Sequence, residues 1–297
     1  MNNAPRCHYA TVTSKYYLLK LLAQLSRLEE LEERPFTYHV LCMDTLVRRV
    51  LEALHLDNLR LYDLESWESD ALKEVKTGRT LAEYCWTVKP PFLLHLMEDD
   101  SAVGGITFLD SDLYPFAPLD SVWRQLDDAS ILLYPHRFPQ EFAALDQASG
   151  RYNGGMISFK NNPAGREAAR WWTDRVIEWC FHRDDNGRLG DQKYLLSFHR
   201  RFEGVTECRD PGVNVGPWSI TGYRVTVEQD KVLIDGRALT LYHFHQFALQ
   251  DDFSFVPAAA MYPLDDVVIT HIYTPYRDRL KRIFARITEI IPGFDIW

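Results

Sequence analysis

The chain is 297 residues long, enough to bury a large core, and its composition is that of an ordinary globular protein. Its 33 Lys+Arg against 42 Asp+Glu give a net charge of −9, which argues against a nucleic-acid binder held by phosphate contacts but leaves room for a local nucleotide site. The five cysteines, Cys7, Cys42, Cys85, Cys180 and Cys208, are scattered and contain no C-x-x-C pair, so neither a disulfide framework nor a zinc knuckle is expected.

The first residues lack a charged start leading into an apolar run, and 7–14 (CHYATVTS) reads as a strand. Residues 15–33 carry Leu18, Leu21, Leu22, Leu25 and Leu28 at helical spacing, with charges opposite. Strand 37–44, helix 45–56 and strand 58–66 follow; this alternation predicts a parallel, doubly wound sheet. Residues 80–99 read as helix on both sides of a break at Pro90-Pro91. Strands are expected at 105–110, 130–136 and 154–160, and a helix at 166–180 with Ala168, Trp172, Val176 and Trp179 on its core face. From about 205 onward, short strands with Gly/Pro punctuation suggest an antiparallel extension of the sheet, with a hairpin turn at DGRAL. The tail is an amphipathic helix with Leu280, Ile283, Phe284, Ile287 and Ile291 on one side and five basic residues around them. No segment is apolar over the length a bilayer requires, so a soluble, cytoplasmic protein is expected.

The segment ITFLDSDLYPF releases a buried strand through two acids, Asp110 and Asp112. Residues i and i+2 of an extended chain share a face, so both carboxylates aim at one point at the carboxyl end of a strand, where open α/β sheets place ligands. Like charges converging there repel unless a cation lies between them, and a hard divalent ion touching a diphosphate fits that role. A surface turn is the competing account of the tripeptide. Three other segments bear on the choice: RYNGGMISFK, GDQKYL and LYHFHQF. Singly, they read as a turn, a helix cap and a half-exposed strand.

Together and in this order, these segments resemble the GT-A-fold glycosyltransferases of the glycogenin and bacterial lipopolysaccharide galactosyltransferase type, over roughly residues 7–247. The resemblance implies a Rossmann-like mixed sheet flanked by helices: a catalytic domain over 1–250 and a C-terminal helical extension over 251–297. It implies metal ligands at Asp110, Asp112 and one of His243 and His245, holding Mn²⁺ or Mg²⁺. Asp110, Asn153, Gly154, Gly155 and Lys89 would line the donor. Tyr16 would stack on its base with Thr11 and Thr13 in reach; Thr13 stands where the family has an acid, which leaves uridine as a first guess. Asp191 and Gln192 would serve the reacting carbon, and Trp218 would be a sugar-stacking ring or a core residue. The implied activity is transfer of a sugar, with retention, from a nucleotide-diphosphate sugar (UDP-sugar favoured) to a glycan or lipid-linked hydroxyl acceptor in bacterial surface glycan synthesis. The tail helix, by its own pattern, is expected to pack back on the core, with peripheral contact at the inner face of a membrane as the alternative. The rival readings are a haloacid dehalogenase-type phosphohydrolase, with Asp265 and Asp266 supplying its later acids, and a non-catalytic sugar-binding protein.

Overall fold

A computed structural model describes residues 7–100 and 102–296; the very start of the N-terminal segment lies outside the described residues. Seven strands form the main sheet: β1 (Cys7–Thr13), β2 (Phe36–Cys42), β3 (Leu59–Asp63), β4 (Gly105–Leu109), β6 (Ile131–Pro135), β7 (Tyr152–Lys160) and β8 (Val205–Glu207), with β5 (Leu113–Pro115) outside it. Their order is β3-β2-β1-β4-β7-β6-β8. β7 runs antiparallel to β4 and β6, which makes the sheet mixed where strand–helix alternation alone suggested a parallel one.

Both faces of the sheet are covered. On one face lie α1 (Leu18–Leu31), with Leu18, Leu21, Leu22, Leu25 and Leu28 all buried as their spacing predicts, and α2 (Thr45–Ala53), capped by Asp44. On the other lie α3 (Leu81–Asp99) and α4 (Pro163–Glu178), which bury Phe92, Leu96, Trp172 and Val176. α3 corrects the sequence reading, since it passes unbroken through Pro90 and Pro91. Thr80 and Glu83 fix its start with a capping box, and burial of Tyr84, Val88, Phe92 and Leu93 offsets the roughly 3 kcal/mol that an interior proline costs.

The C-terminal third departs from the expected extension of the sheet. β9 (Val225–Glu228), β10 (Lys231–Ile234) and β11 (Arg237–Ala238) form a separate antiparallel sheet, with the predicted hairpin turn at Asp235-Gly236, where both φ are positive. β12 (Leu241–His243) pairs with β5 instead. The last helix, α5 (Thr274–Ile290), docks on α1 through buried Tyr276, Leu280 and Ile287, and Arg279 binds Glu30 at 2.6 Å. Much of the stripe offered by the sequence to a membrane surface is thus used against the protein's own core. Among the described residues no helix is long and apolar enough to cross a membrane, and all five cysteines are free.

Candidate active site

β4 ends at Leu109, and the chain then turns instead of continuing extended: the Leu113 amide donates to the Asp110 carbonyl at 3.0 Å. The two acids therefore converge through a tight turn, not through the i, i+2 geometry of a strand. The Asp110 amide donates to the Gly155 carbonyl at 2.7 Å, which anchors the turn to β7. Beyond it, β5 and β12 pair so that His243 lies opposite Leu113, bringing a side chain from late in the chain back to the acids.

Asp110, Asp112 and His243 present one ligand atom each, all within 4.8 Å of one another. His243 Nε2 is 3.1 Å from Asp112 Oδ1. Burial alone would raise the Asp112 carboxyl, but His243 outweighs it and holds the group well below the usual carboxylate range. Asp110 goes the other way, pushed up by burial and by the Asp112 charge against the pull of Lys89. His245 is not in this group of three: β12 ends at His243, and burial pushes the His245 imidazole down to about 4.

Lys89 projects from the buried face of α3, 2% exposed, and its Nζ lies 2.8 Å from Asp191 Oδ2, 3.6 Å from Asp110 Oδ1 and 2.8 Å from the Gly154 carbonyl it donates to. Burial works against its charge, but the two carboxylates outweigh it and hold the ammonium above the ordinary lysine range. Asp191 is thus an ion-pair partner and makes no side-chain cap bond to the 3₁₀ turn after it. Gln192 accepts from the Gly154 amide at 2.8 Å and donates to the Ser149 carbonyl at 2.7 Å, so its amide is a strut beneath the glycines.

The Asn-Gly-Gly run is no turn; it is the buried start of β7. A Cβ on Gly155 would lie 2.6 Å from both Asp110 Oδ2 and His243 Cε1, and one on Gly154 3.1 Å from the Gln192 side chain. Only bare backbone fits between the acids and Asp191. Asn153 accepts from the Gly155 amide at 2.8 Å and meets His136 Nε2 at 3.1 Å, while His136 Nδ1 lies 2.9 Å from the Gly150 carbonyl. Those partners define a neutral tautomer, protonated on Nδ1, and burial pushes the His136 imidazole down to about 3. Sequence reading missed His136, since nothing local distinguishes it from the end of a strand. It also missed Gln24, a fully buried amide whose only signal is its place on the leucine face of α1.

Apart from Gln24, these groups line one cleft of about 770 Å³. Tyr16 stands at its rim, 58% exposed. Strand alternation gives the cleft Val12 and Ser14, whereas Thr11 and Thr13 point to the α1 side: Thr11 Oγ1 pairs with Ser111 Oγ at 3.3 Å, and the buried Thr13 hydroxyl has no hydrogen-bond partner. Trp218 is 3% exposed, donates to the His136 carbonyl at 3.0 Å and meets the rings of His243 and His245 edge-on, so it is a core ring with one edge on the cleft. Asp265 and Asp266 are exposed and lie outside the cleft, which removes the acids that the phosphohydrolase reading required.

A mixed sheet with two acids leaving its central β4, an Asn-Gly-Gly strand beside them and a returning histidine defines a protein of the GT-A fold. Solved structures agree: an active-site mutant of the galactosyltransferase LgtC is 14% identical with a TM-score of 0.57, covering 94% of this chain and 95% of that one. The apo glycosyltransferase GlyE of Streptococcus pneumoniae TIGR4 is 12% identical with a TM-score of 0.54, covering 95% of this chain and 64% of that one. Mouse xyloside xylosyltransferase 1 is 14% identical with a TM-score of 0.50, covering 88% and 100%. No family model matches. In sequence, the chain is 30% identical over 289 residues to the uncharacterized protein YfnD of Bacillus subtilis (strain 168), covering 97% of this chain and 93% of the relative. It is 29% identical over 294 residues to the uncharacterized protein YfnF of the same strain, covering 97% and 96%. The chain belongs to the YfnD family.

Proposed function

We propose that the protein is a metal-dependent glycosyltransferase that moves a hexosyl group, with retention, from a UDP-sugar to a hydroxyl of a glycan or lipid-linked acceptor in bacterial surface glycan synthesis. The observation that carries this reading is Lys89, one buried cation paired with both Asp110 and Asp191, the acid of the metal side and the acid of the reacting side of a single cleft. The names of the solved relatives, a galactosyltransferase and a xylosyltransferase among them, support the reaction class.

The residues fit a hard divalent ion. Two carboxylates and an imidazole converge within 4.8 Å, and Gly155 keeps the adjoining space clear of any Cβ. Asp110, Asp112 and His243 would hold Mn²⁺ or Mg²⁺, which would supply positive charge against the negative charge that grows on the departing diphosphate. The protein's own groups supply the rest. Lys89 fixes Asp191 by a 2.8 Å ion pair in a dry site, so that its carboxylate can face the anomeric carbon as positive charge develops on the sugar. The Gly154-Gly155 backbone lets the sugar approach both acids, with Gln192 and Asn153 holding that backbone still. The exposed Tyr16 ring offers the base a stacking face at the mouth of the cleft. In front-face transfer the departing phosphate takes the acceptor proton, which needs no further base from the chain.

The test is incubation with a panel of nucleotide sugars and Mn²⁺, following release of nucleoside diphosphate with and without acceptor. UDP release from one or a few UDP-sugars is expected. Phosphate release from simple phosphomonoesters in its place would overturn the reading, and tight metal-dependent binding without turnover on any donor would make the chain a binding protein.

A further inference from the structure

The turn that carries the two acids is held by a residue outside every motif discussed so far. Gln24 lies on α1, fully buried, with Nε2 donating to the Asp110 carbonyl at 2.9 Å and to the Leu113 carbonyl at 2.6 Å. Those are the first and last residues of the turn, so one amide nitrogen grips both of its ends. The other end of the amide is fixed as well: Gln24 Oε1 accepts a short hydrogen bond from the Tyr38 hydroxyl, and Tyr38 is itself fully buried on β2. The two carbonyls decide which way the amide faces, because they only accept and so require its nitrogen, which leaves the oxygen to take the Tyr38 proton. The amide nitrogen has two hydrogens and two acceptors, and the oxygen has its donor, so the network is complete.

We propose that Gln24, locked by Tyr38, is the positioning residue that sets the spacing of Asp110 and Asp112 for their cation. The inference rests on the metal-site reading given above and adds a residue to it. A carboxylate pair tolerates little misplacement, since like charges separate wherever the backbone lets them. Here the turn between them is short, and its own closing bond joins Leu113 to Asp110. With Gln24 absent, the Leu113 carbonyl loses the Gln24 donor, the Asp110 carbonyl keeps only the Leu113 amide, and the turn is held by its closing bond without a brace from α1. β4 and β5 have no other need of a polar group at position 24, where the neighbouring α1 residues Leu21, Leu25 and Leu28 are all buried and apolar. The buried amide of Gln24 is bonded to the two ends of the turn and to the Tyr38 hydroxyl that holds it there.

The test uses the full chain with Mn²⁺ and UDP. Mn²⁺ affinity is read by electron paramagnetic resonance of the free ion in the presence of UDP, and thermal stability is read on the same samples. Gln24→Met keeps the side-chain length and removes the amide; it is expected to weaken Mn²⁺ binding by about tenfold or more, the size of effect known for groups that orient metal ligands. Tyr38→Phe leaves Gln24 in place but unlocks it, and a loss of about threefold or more is expected, which keeps the test alive if Gln24→Met does not fold. Tyr134→Phe is the control, because it removes a buried tyrosine hydroxyl bond to Ser158 in the same sheet without touching the turn. It should lower the melting temperature and leave Mn²⁺ affinity unchanged. If wild type binds Mn²⁺ with UDP and Tyr38→Phe matches it, Gln24 is only structural and the inference falls alone. If wild type binds no Mn²⁺ at all, the metal-site reading falls and takes the inference with it.

Discussion

Lys89 Nζ and Asp191 Oδ2 form a 2.8 Å ion pair between two residues that are 2% and 4% exposed. A cation this deep is stable only because Asp110 and the Gly154 carbonyl complete its shell. Lys89→Met leaves Asp110 and Asp191 facing each other with no charge between them. The expected result is a destabilisation of about 3–5 kcal/mol by urea unfolding, together with loss of turnover. A variant as stable as wild type would show that Lys89 is not the link between the two acids.

Asp112→Asn is expected to abolish metal-dependent donor binding while preserving the fold. The amide keeps the shape of the side chain and can still meet His243, but it removes the negative charge that a hard cation requires. Calorimetry with UDP and Mn²⁺ should show an affinity lower by roughly a hundredfold or more. Unchanged affinity would sink the assignment of Asp112 to the metal.

What was legible in the sequence was local. The D-x-D exit of β4, the Asn-Gly-Gly start of β7 and the late H-F-H each show in fewer than about a dozen consecutive residues, and the alternation of strand and helix shows element by element over the first third of the chain. What was not legible depended on partners far along the chain. Resemblance alone placed Lys89 near the donor; its ion pairs with Asp110 and Asp191 show only once α3 is seen to run through its two prolines. His243 alone of the two late histidines joins the cluster with Asp110 and Asp112, because β12 stops there, and strand alternation does not show where a strand stops. Thr11 and Thr13 were placed near the base by resemblance, yet alternation along β1 assigns them to the α1 side. Gln24 and His136 act through partners on other elements, so no spacing announces them.

Gly155 and Gly154 allow a graded test of how closely the site is packed. A methyl on Gly155 collides with Asp110 and His243 at 2.6 Å, whereas one on Gly154 meets Gln192 at 3.1 Å and Asp191 at 3.2 Å. Gly155→Ala should cost about 1–3 kcal/mol and displace the two ligand side chains, with loss of Mn²⁺-dependent UDP binding. Gly154→Ala needs shifts of only a few tenths of an ångström and should retain that binding while slowing turnover, because its methyl presses on the Asp191 side. Calorimetry on the two variants side by side distinguishes these outcomes; equal loss of metal-dependent binding in both would mean that the two glycines do not divide the site in this way.

The last prediction concerns a histidine remote from the cleft. His39 is buried on β2, with Nε2 3.1 Å from His8 Nδ1 and Nδ1 3.1 Å from the Tyr62 hydroxyl. Burial, the neighbouring His8 and Arg60 push its imidazole from 6.5 down to about 3, with Asp100 pulling the other way. As pH falls below 6.5 the unfolded chain takes up this proton, while the folded chain resists until near pH 3. Stability from this group is therefore complete above pH 6.5 and drains away between 6.5 and 3, by about 1.4 kcal/mol per pH unit at most. Between pH 7.5 and pH 5 the wild type should lose about 2 kcal/mol through His39. His39→Gln keeps a hydrogen-bonding side chain that does not titrate, so it should flatten the acid limb of the stability profile; His136, held equally low, keeps the slope from vanishing. Urea unfolding of both proteins at the two pH values gives the comparison, and parallel profiles would rule out a neutral buried His39.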